Sequence, residues 1–353
     1  MTRSQSSMMQ KTTRRAPPAV RHSSGRQKLA LLAGLCAVLL AVAILSICIG
    51  TRSVSWDEIV SALAGQVNSI GEASVAVRIP RTLLALLAGA ALGVAGAIMQ
   101  GMARNPLADP GLLGVNTGAA LAVVIGVAWF NMASAQAYIW AAILGAAATS
   151  AFVFTIGSLG RGGPTPLKLS LAGAATSIAF ASLVIAIVLP RNDIAGGIRS
   201  WQVGGVGGAT FERMYPVLPF LALGFLISLV TARKLNSLAL GDDLATGLGE
   251  RVAMARALSA LAAILLCGAT TAICGPIGFI GLVVPHACRL IVGVDHRWLL
   301  PFSAVSGAIL LTAADIAGRI LARPGEIEVG IVTAFIGAPV FIWIVRRQKV
   351  REL

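Results

Sequence analysis

The feature that most constrains this chain is a series of long apolar runs. A helix needs about 20 apolar residues to cross a bilayer, and runs of that kind recur along the sequence, bounded by charges or by proline and glycine. We predict ten spans, of which the eighth is short enough to be a partial span: 28–50, 82–103, 112–130, 137–159, 168–190, 213–232, 255–274, 277–292, 298–321 and 329–345. The predicted fold class is therefore all-α, a polytopic membrane protein.

Composition agrees with this fold class. Hydrophobic residues make up 57% of the 353 residues and charged residues only 12%, whereas a soluble domain carries about 25% charged residues. A single soluble core stops growing near about 250–300 residues, so a soluble fold has no place for this much apolar surface. The five cysteines show no C-x-x-C spacing, and we interpret them as small hydrophobic residues.

The charges predict an orientation in the membrane. Residues 1–27 are polar and basic and are predicted to form a disordered cytoplasmic tail, ahead of one transmembrane domain at 28–346. The first span exceeds the apolar region of a cleaved signal peptide, about 7–15 residues. Ten spans then place both termini in the cytoplasm, with 20 basic and 6 acidic residues inside, against 8 of each outside. The net charge of +14 thus follows the positive-inside rule and implies no nucleic acid.

Several kinds of chemistry are absent from the sequence. There is no G-x-x-x-x-G-K-[ST] phosphate-binding loop and no H-E-x-x-H motif. No Ser/His/Asp set falls at one membrane depth, and no cysteine and histidine spacing matches a metal site. We therefore expect no enzymatic activity, no catalytic residue, no metal site and no cofactor in this chain.

A secondary transporter is an alternative, and it would need ionisable groups inside the membrane for ion coupling. Only Asp315 falls within an apolar run, and Arg319 follows it at i+4, on the same helix face. We predict a local intramembrane pair between these two residues. One paired carboxylate counts against ion coupling, and a membrane enzyme is disfavoured by the lack of clustered His, Asp and Glu.

Three segments outside the predicted spans carry further hypotheses. Arg78 and Arg81 stand immediately before the second predicted span, with Pro80 as a helix start; they fit either interfacial snorkelling or docking of an acidic partner. A segment at 191–212 is predicted outside, with a glycine-rich bend. On the cytoplasmic side, 238–254 is predicted as a short helix, a glycine break and a turn, which suits either a solvated loop or a socket for a motor domain.

Several long motifs occur in order along the chain. They are Arg78-Ile-Pro-Arg81-Thr-Leu, Gly89-Ala-Ala-Leu-Gly93-Val-Ala-Gly96-Ala-Ile-Met99-Gln100, Asn105-Pro106-Leu-Ala-Asp109-Pro110-Gly111, Gly275-Pro-Ile-Gly278-Phe-Ile-Gly281-Leu-Val-Val-Pro285-His286, Asp295-His296-Arg297, Ala314-Asp315-Ile-Ala-Gly-Arg319 and Gly337-Ala-Pro339-Val-Phe341. Together these motifs resemble the permeases of iron-siderophore, haem and cobalamin ABC importers, from about residue 30 to 346.

The resemblance implies a bacterial inner-membrane complex. It implies ten helices per subunit, a second permease copy (a homodimer or a paralogous heterodimer), two ATPase subunits that bind ATP and Mg, and a periplasmic binding protein. Iron chelates are the commonest cargo among the relatives, so the expected cargo is a ferric-siderophore-type chelate, with haem or cobalamin as the alternative. The cobalamin-type member has a hydroxyl pair where this chain has Pro166-Leu167.

The resemblance also assigns residues. Docking of the binding protein matches Arg78, Arg81 and Arg319, while 238–254 matches the coupling helices that seat in the ATPase. In the coupling segment the predicted residues are Leu238, Gly241, Asp242, Asp243, Ala245, Leu248 and Gly249.

Overall fold

The computed structural model describes residues 24–159 and 165–347. Within those ranges the chain is helical, with a short 3₁₀ turn at Pro110–Leu113. The α-helices are Gly25–Cys48 (α1), Trp56–Leu63 (α2), Ile70–Ala103 (α3), Val115–Phe130 (α4), Ala135–Ser158 (α5), Pro166–Val188 (α6), Asn192–Val203 (α7), Phe211–Met214 (α8), Leu218–Ala239 (α9), Asp242–Gly247 (α10), Val252–Cys274 (α11), Ile280–Val292 (α12), His296–Leu321 (α13) and Val329–Arg347 (α14).

Each of the ten predicted spans coincides with one of these helices. In the described ranges, seven helices are long and apolar enough to cross a membrane, and α4, α12 and α14 are shorter apolar helices. The short eighth span corresponds to α12, which has 13 residues. The predicted all-helical, polytopic fold class is confirmed.

Serine caps begin the first three helices. Ser24, Ser55 and Ser69 each accept a backbone hydrogen bond from the residue three positions later, and the Gln or Glu at that position bonds back to the cap. This capping box satisfies two donors that a helix N-terminus otherwise leaves unpaired. It fixes where α1, α2 and α3 begin, independently of the apolar pattern that follows.

The second predicted span needs a correction, because α3 begins at Ile70 and not at residue 82. Arg78 and Arg81 therefore lie inside a 34-residue helix, and Pro80 is an interior proline rather than a helix start. The apolar pattern placed the boundary too late because the first three turns of α3 project beyond the apolar run. The Ser69 and Glu72 capping box marks the true start.

Other boundaries also shift. The outer segment at 191–212 was predicted as a bend, but it contains the 12-residue helix α7 before its glycines. The span predicted at 213–232 is displaced to α9, which ends at Ala239, with the short α8 before it. Helix α1 begins at Gly25, so the last residues of the predicted tail are helical, and residues 1–23 lie outside the described ranges.

Helix α3 is the centre of the bundle and packs against α9, α11, α12 and α13. Glycines allow its closest approaches: Gly89 and Gly93 face the backbone of α13, and Gly96 faces Gly281 of α12. A methyl group at any of these positions would overlap the facing backbone, so the small residues set the helix separation. By contrast, α1 lies at the edge, with Leu29 and Leu40 more than half exposed.

Candidate functional site

A buried carboxylate joins two helices near the predicted outer ends of α3 and α13. Arg81 of α3 donates through Nε and Nη2 to Asp315 of α13, with an Nη2 to Oδ1 distance of 2.7 Å. Arg319 lies one turn after Asp315 and contacts its Oδ2 at 2.8 Å. Asp315 is 1% exposed, so one carboxylate compensates two guanidinium groups away from solvent.

Arg319 also binds the end of the peripheral helix α1. Its Nη1 donates to the carbonyl oxygens of Ser46 and Ile49, each at 2.9 Å, and its Nη2 donates to Ser46 Oγ at 2.6 Å. The Ser46 hydroxyl in turn lies 2.8 Å from Thr82 Oγ1 of α3. One arginine thereby holds α1 against α3 and α13, and the carbonyls at the C-terminus of α1 favour its positive charge.

Arg78, on α3, also donates to the C-terminal end of α1. Its Nη1 donates to the carbonyl oxygens of Ile47 and Cys48, and its Nη2 donates to that of Arg52 at 2.7 Å. These carbonyls belong to the last turn of α1 and the loop after it, where a helix leaves acceptors unpaired. Arg78 is thus a cap for α1 supplied by a neighbouring helix.

Glu326 is the solvent-accessible member of this group of charges. Arg81 Nη1 donates to Glu326 Oε2 at 2.6 Å, and the Glu326 side chain is 40% exposed. Glu328 follows two residues later; burial raises the pKa of its carboxyl, the positive charge of Arg81 lowers it, and Glu326 and Asp315 raise it further. We define Arg78, Arg81, Asp315, Arg319 and Glu326 as the outer arginine cluster.

The three arginines predicted to dock a binding protein all lie in the outer arginine cluster. Each is more than nine-tenths buried, and each donates to acceptors within the chain. Of its charged groups, Glu326 is the exposed one. The docking role stays a prediction, whereas the predicted proximity of Asp315 and Arg319 is present with Arg81 as an additional partner.

Residues 238–254, which the sequence predicts on the cytoplasmic side and which we call the cytoplasmic unit, are built around one carboxylate. Asp242, at the first position of α10, accepts from Arg104 at the end of α3 and from Arg256 of α11, each at 2.8 Å. Lys234 of α9 and Glu250 pair at 2.8 Å. These ion pairs connect the two turns around α10 to three membrane helices.

Glycines make the turns on both sides of α10. Gly241 has a φ of +108° and Gly249 has a φ of +82°, a region that side chains with a Cβ rarely occupy. Leu238 and Ala245 are buried at 1% and 0% exposure, so these two predicted coupling residues anchor the unit. Asp243 lies on its exposed side.

Three leucines project from the same unit into the open. Leu240, Leu244 and Leu248 are 56%, 62% and 68% exposed, and they follow one another at a spacing of four residues. Our prediction named Leu248 but missed Leu240 and Leu244. The i, i+4 spacing of Leu244 and Leu248 was visible in the sequence, and these two side chains lie one helical turn apart and form an apolar ridge on α10. Leu240 lies before the turn at Gly241.

The described residues contain no group of three His, Cys, Asp or Glu side chains that could hold a metal ion. The polar groups of both regions are instead occupied by one another. The arrangement therefore connects helices through buried ion pairs and hydrogen bonds, with Glu326 as the exposed charge of the outer arginine cluster and exposed leucines on the cytoplasmic unit.

Comparison with known proteins identifies the family of this chain. Residues 38–347 match the model of the FecCD transport family. The ferric enterobactin transport system permease protein FepD of Escherichia coli (strain K12) is 45% identical over 316 residues, which cover 89% of this chain and 94% of FepD. The probable siderophore transport system permease protein YfiZ of Bacillus subtilis (strain 168) is 41% identical over 312 residues, 88% of this chain and 93% of YfiZ.

A solved structure agrees with these sequence relatives. A metal-chelate type ABC transporter in an inward-facing conformation superimposes with a TM-score of 0.75 and 30% identity, covering 91% of this chain and 99% of the other. The family model and both relatives extend over nearly all of the helical region described above. This chain is an integral membrane protein that belongs to the FecCD transport family.

Proposed function

We propose that this chain is the transmembrane permease subunit of a binding-protein-dependent ABC importer in a bacterial inner membrane. Its proposed cargo is a ferric-siderophore-type chelate, in keeping with the names of FepD and YfiZ. A second permease copy, identical or paralogous, completes the pathway. ATP and Mg belong to separate ATPase subunits.

The observation that carries this proposal is the cytoplasmic unit. Leu244 and Leu248 form an exposed apolar ridge, and Leu240 is a further exposed leucine just before the Gly241 turn. Exposed apolar surface of this kind is costly in water and typical of a contact surface. The same unit is tied to α3, α9 and α11 through Asp242 and the Lys234 to Glu250 pair. A force applied to the ridge by a soluble motor would therefore reach the membrane helices through short, charged connections.

The role of the chain is conformational. ATP binding and hydrolysis on the partner would favour one arrangement of the cytoplasmic unit over another, and the helices attached to it would follow. A ligand shifts such an equilibrium only by its difference in affinity for the two states. No bond of the cargo is made or broken, so the chain needs no catalytic group.

The outer arginine cluster supports docking of a binding protein, but with the exposed Glu326 as the point of contact and the buried arginines behind it. Glu326 is the accessible partner of Arg81, and a carboxylate on a loaded binding protein could replace it there. Arg78 and Arg319 would then act by holding α1 and α13 in place. Charge complementarity of this kind fixes orientation and speeds association more than it adds affinity.

The test is ATPase activity of the assembled complex in nanodiscs, with and without substrate-loaded binding protein. Leu244→Asp should abolish stimulation, because a carboxylate on the ridge cannot be buried against the partner without a large desolvation cost. Leu244→Met keeps the apolar surface and is the matched control, expected to behave as wild type. Normal stimulation of Leu244→Asp, in a complex that still assembles, would refute the coupling role.

Cargo is tested separately by uptake into proteoliposomes that contain the whole complex. Iron supplied as a ferric siderophore should enter in an ATP-dependent manner, while haem and cobalamin should not. ATP-dependent entry of haem or cobalamin alone would leave the importer intact and replace the cargo. Failure of any ATPase to associate with the chain would overturn the importer itself in favour of ion-coupled transport.

A further inference from the structure

A second polar site lies on the cytoplasmic side, apart from the coupling ridge. A pocket of about 410 Å³ opens where the end of α3, the end of α12 and the start of α13 meet. Arg104, His286 and Arg289 line it, together with Gln100 and His296. None of these residues has a role in the coupling proposed above except Arg104, which also pairs with Asp242.

Arg289 is the unusual member of this pocket. Its Nη2 donates to Gln100 Oε1 at 2.9 Å, but no carboxylate among the described residues lies within salt-bridge distance of it. The C-terminus of α12 supplies only about half a negative charge. Arg81 and Arg319, in contrast, share Asp315. Among the described residues Arg78 also lacks a carboxylate partner, but it donates to three backbone carbonyls, whereas the acceptor of Arg289 is Gln100 Oε1. An anion from outside the chain would balance the charge of this partly buried guanidinium.

The surroundings hold Arg289 in a defined position. Gln100 Nε2 donates to the carbonyl oxygens of Gly281 and Leu282, at 3.2 and 3.1 Å, and this fixes Gln100 Oε1 toward Arg289. His286 lies three residues before Arg289, on the same helix face, and its Nδ1 has no hydrogen-bond partner among the described residues. The far wall is His296, whose Nδ1 lies 2.8 Å from Asn236 Oδ1.

The rim of the pocket is apolar. Leu290 and Val294 line the pocket and are 72% and 69% exposed, and neighbouring Ile291 is 58% exposed. An opening with cations inside and leucine-like side chains at its edge suits an amphipathic ligand with an anionic head. Basic pockets between membrane helices on the cytoplasmic side are typical binding sites of anionic lipid headgroups.

We propose that this pocket binds a phosphate group, with Arg289 as its principal contact and Arg104 and His286 beside it. The occupant that the apolar rim favours is an anionic phospholipid of the cytoplasmic leaflet. The phosphate would complete the charge balance that the chain leaves open at Arg289. The site is separate from the coupling ridge and shares Arg104 with the cytoplasmic unit through the pair with Asp242.

The test compares Arg289→Gln with Arg297→Gln, which removes an exposed arginine eight residues further along. The full-length chain is reconstituted with equal parts phosphatidylglycerol and phosphatidylcholine, and lipids that remain bound after extraction are counted by native mass spectrometry. Wild type and Arg297→Gln should retain phosphatidylglycerol preferentially. Arg289→Gln should lose at least about tenfold in its occupancy, since a charge-assisted hydrogen bond is removed.

A further variant and a phosphate titration complete the test. Arg289→Lys retains the charge and should keep part of the preference, which separates lost binding from lost folding. Titration of delipidated protein with inorganic phosphate distinguishes the source: saturable binding that depends on Arg289, without lipid retention, assigns the site to a free phosphate. If wild type shows neither a lipid preference nor phosphate binding, or if Arg289→Gln matches wild type in both, the proposal is wrong.

Discussion

The outer arginine cluster and the cytoplasmic unit both join helices through a carboxylate shared by two arginines, yet they differ in burial. Asp315 is 1% exposed and Arg319 is 1% exposed. The side chain of Asp242 is 39% exposed and that of Arg104 is 38% exposed, although Arg256, the second partner of Asp242, is 4% exposed. Water therefore reaches Asp242 and its pair with Arg104 but is excluded from Asp315. Asp315 and its arginines form a fixed structural joint, whereas the pair between Asp242 and Arg104 can be rearranged at little cost.

The largest effect should come from Asp315→Asn. It leaves Arg81 and Arg319 buried without their shared counter-charge, and removing one partner of a buried ion pair costs about 3–5 kcal/mol. We expect a marked fall in the melting temperature of the purified chain, measured by thermal unfolding in nanodiscs. Asp193→Asn is the matched control, because it removes a carboxylate from an exposed pair with Arg191, worth about 0–1 kcal/mol.

Equal melting temperatures for Asp315→Asn and Asp193→Asn would contradict the structural role of the outer arginine cluster. That result would mean that water reaches Asp315, or that Glu326 alone balances Arg81. Either outcome would mean that the outer arginine cluster and the cytoplasmic unit contribute similarly to stability.

Asp242→Asn should have a smaller effect on stability and a larger one on coupling. The exposed pair with Arg104 contributes about 0–1 kcal/mol, whereas the pair with Arg256, whose side chain is 4% exposed, contributes more. The melting temperature should therefore fall less than in Asp315→Asn and more than in Asp193→Asn. Stimulation of ATPase activity by the loaded binding protein should nevertheless fall, because α10 loses its connections to α3 and α11. Asp243→Asn is the neighbouring control, since Asp243 forms no salt bridge among the described residues.

Unchanged stimulation in Asp242→Asn would show that α10 transmits motion through packing of Leu238 and Ala245 instead of through charge. A comparable loss in Asp243→Asn would point to direct contact of that carboxylate with the ATPase. The pair of variants therefore separates internal transmission from partner binding within one turn of helix.

Much of this fold could be predicted from the sequence, because hydrocarbon thickness imposes a length on each apolar run. The ten spans coincide with ten helices, and the i,i+4 spacing placed Asp315 beside Arg319. The start of α3 was missed because its first turns are less apolar, although the Ser69 and Glu72 capping box marks it. Helix α7 was missed because its glycines and charges obscure the apolar period.

The candidate site was harder to predict, because its contacts cross long stretches of sequence. Arg81 and Asp315 are 234 residues apart, and no local spacing rule relates them. The outer position of Arg78 and Arg81 suggested a free surface, whereas both side chains are turned inward. Arg289 drew no attention in the sequence, since a missing counter-charge is a property of three-dimensional surroundings.

The smallest expected effect concerns Glu328, which lies just before α14. Burial raises the pKa of its carboxyl above the ordinary value of 4.5. A raised pKa in the folded state means that the protonated form is favoured by folding. The resulting stability is fully present below pH 4.5 and is lost as the pH rises through the folded-state pKa.

Glu328→Gln removes the ionisable group and should therefore raise the melting temperature slightly at neutral pH. The difference from wild type should shrink as the pH falls and vanish below about pH 4.5, where both side chains are neutral. Thermal unfolding in nanodiscs at several pH values measures it. A lower melting temperature for Glu328→Gln at neutral pH would instead show that ionised Glu328 is stabilised by Arg81, so that the outer arginine cluster extends one carboxylate further than its hydrogen bonds indicate.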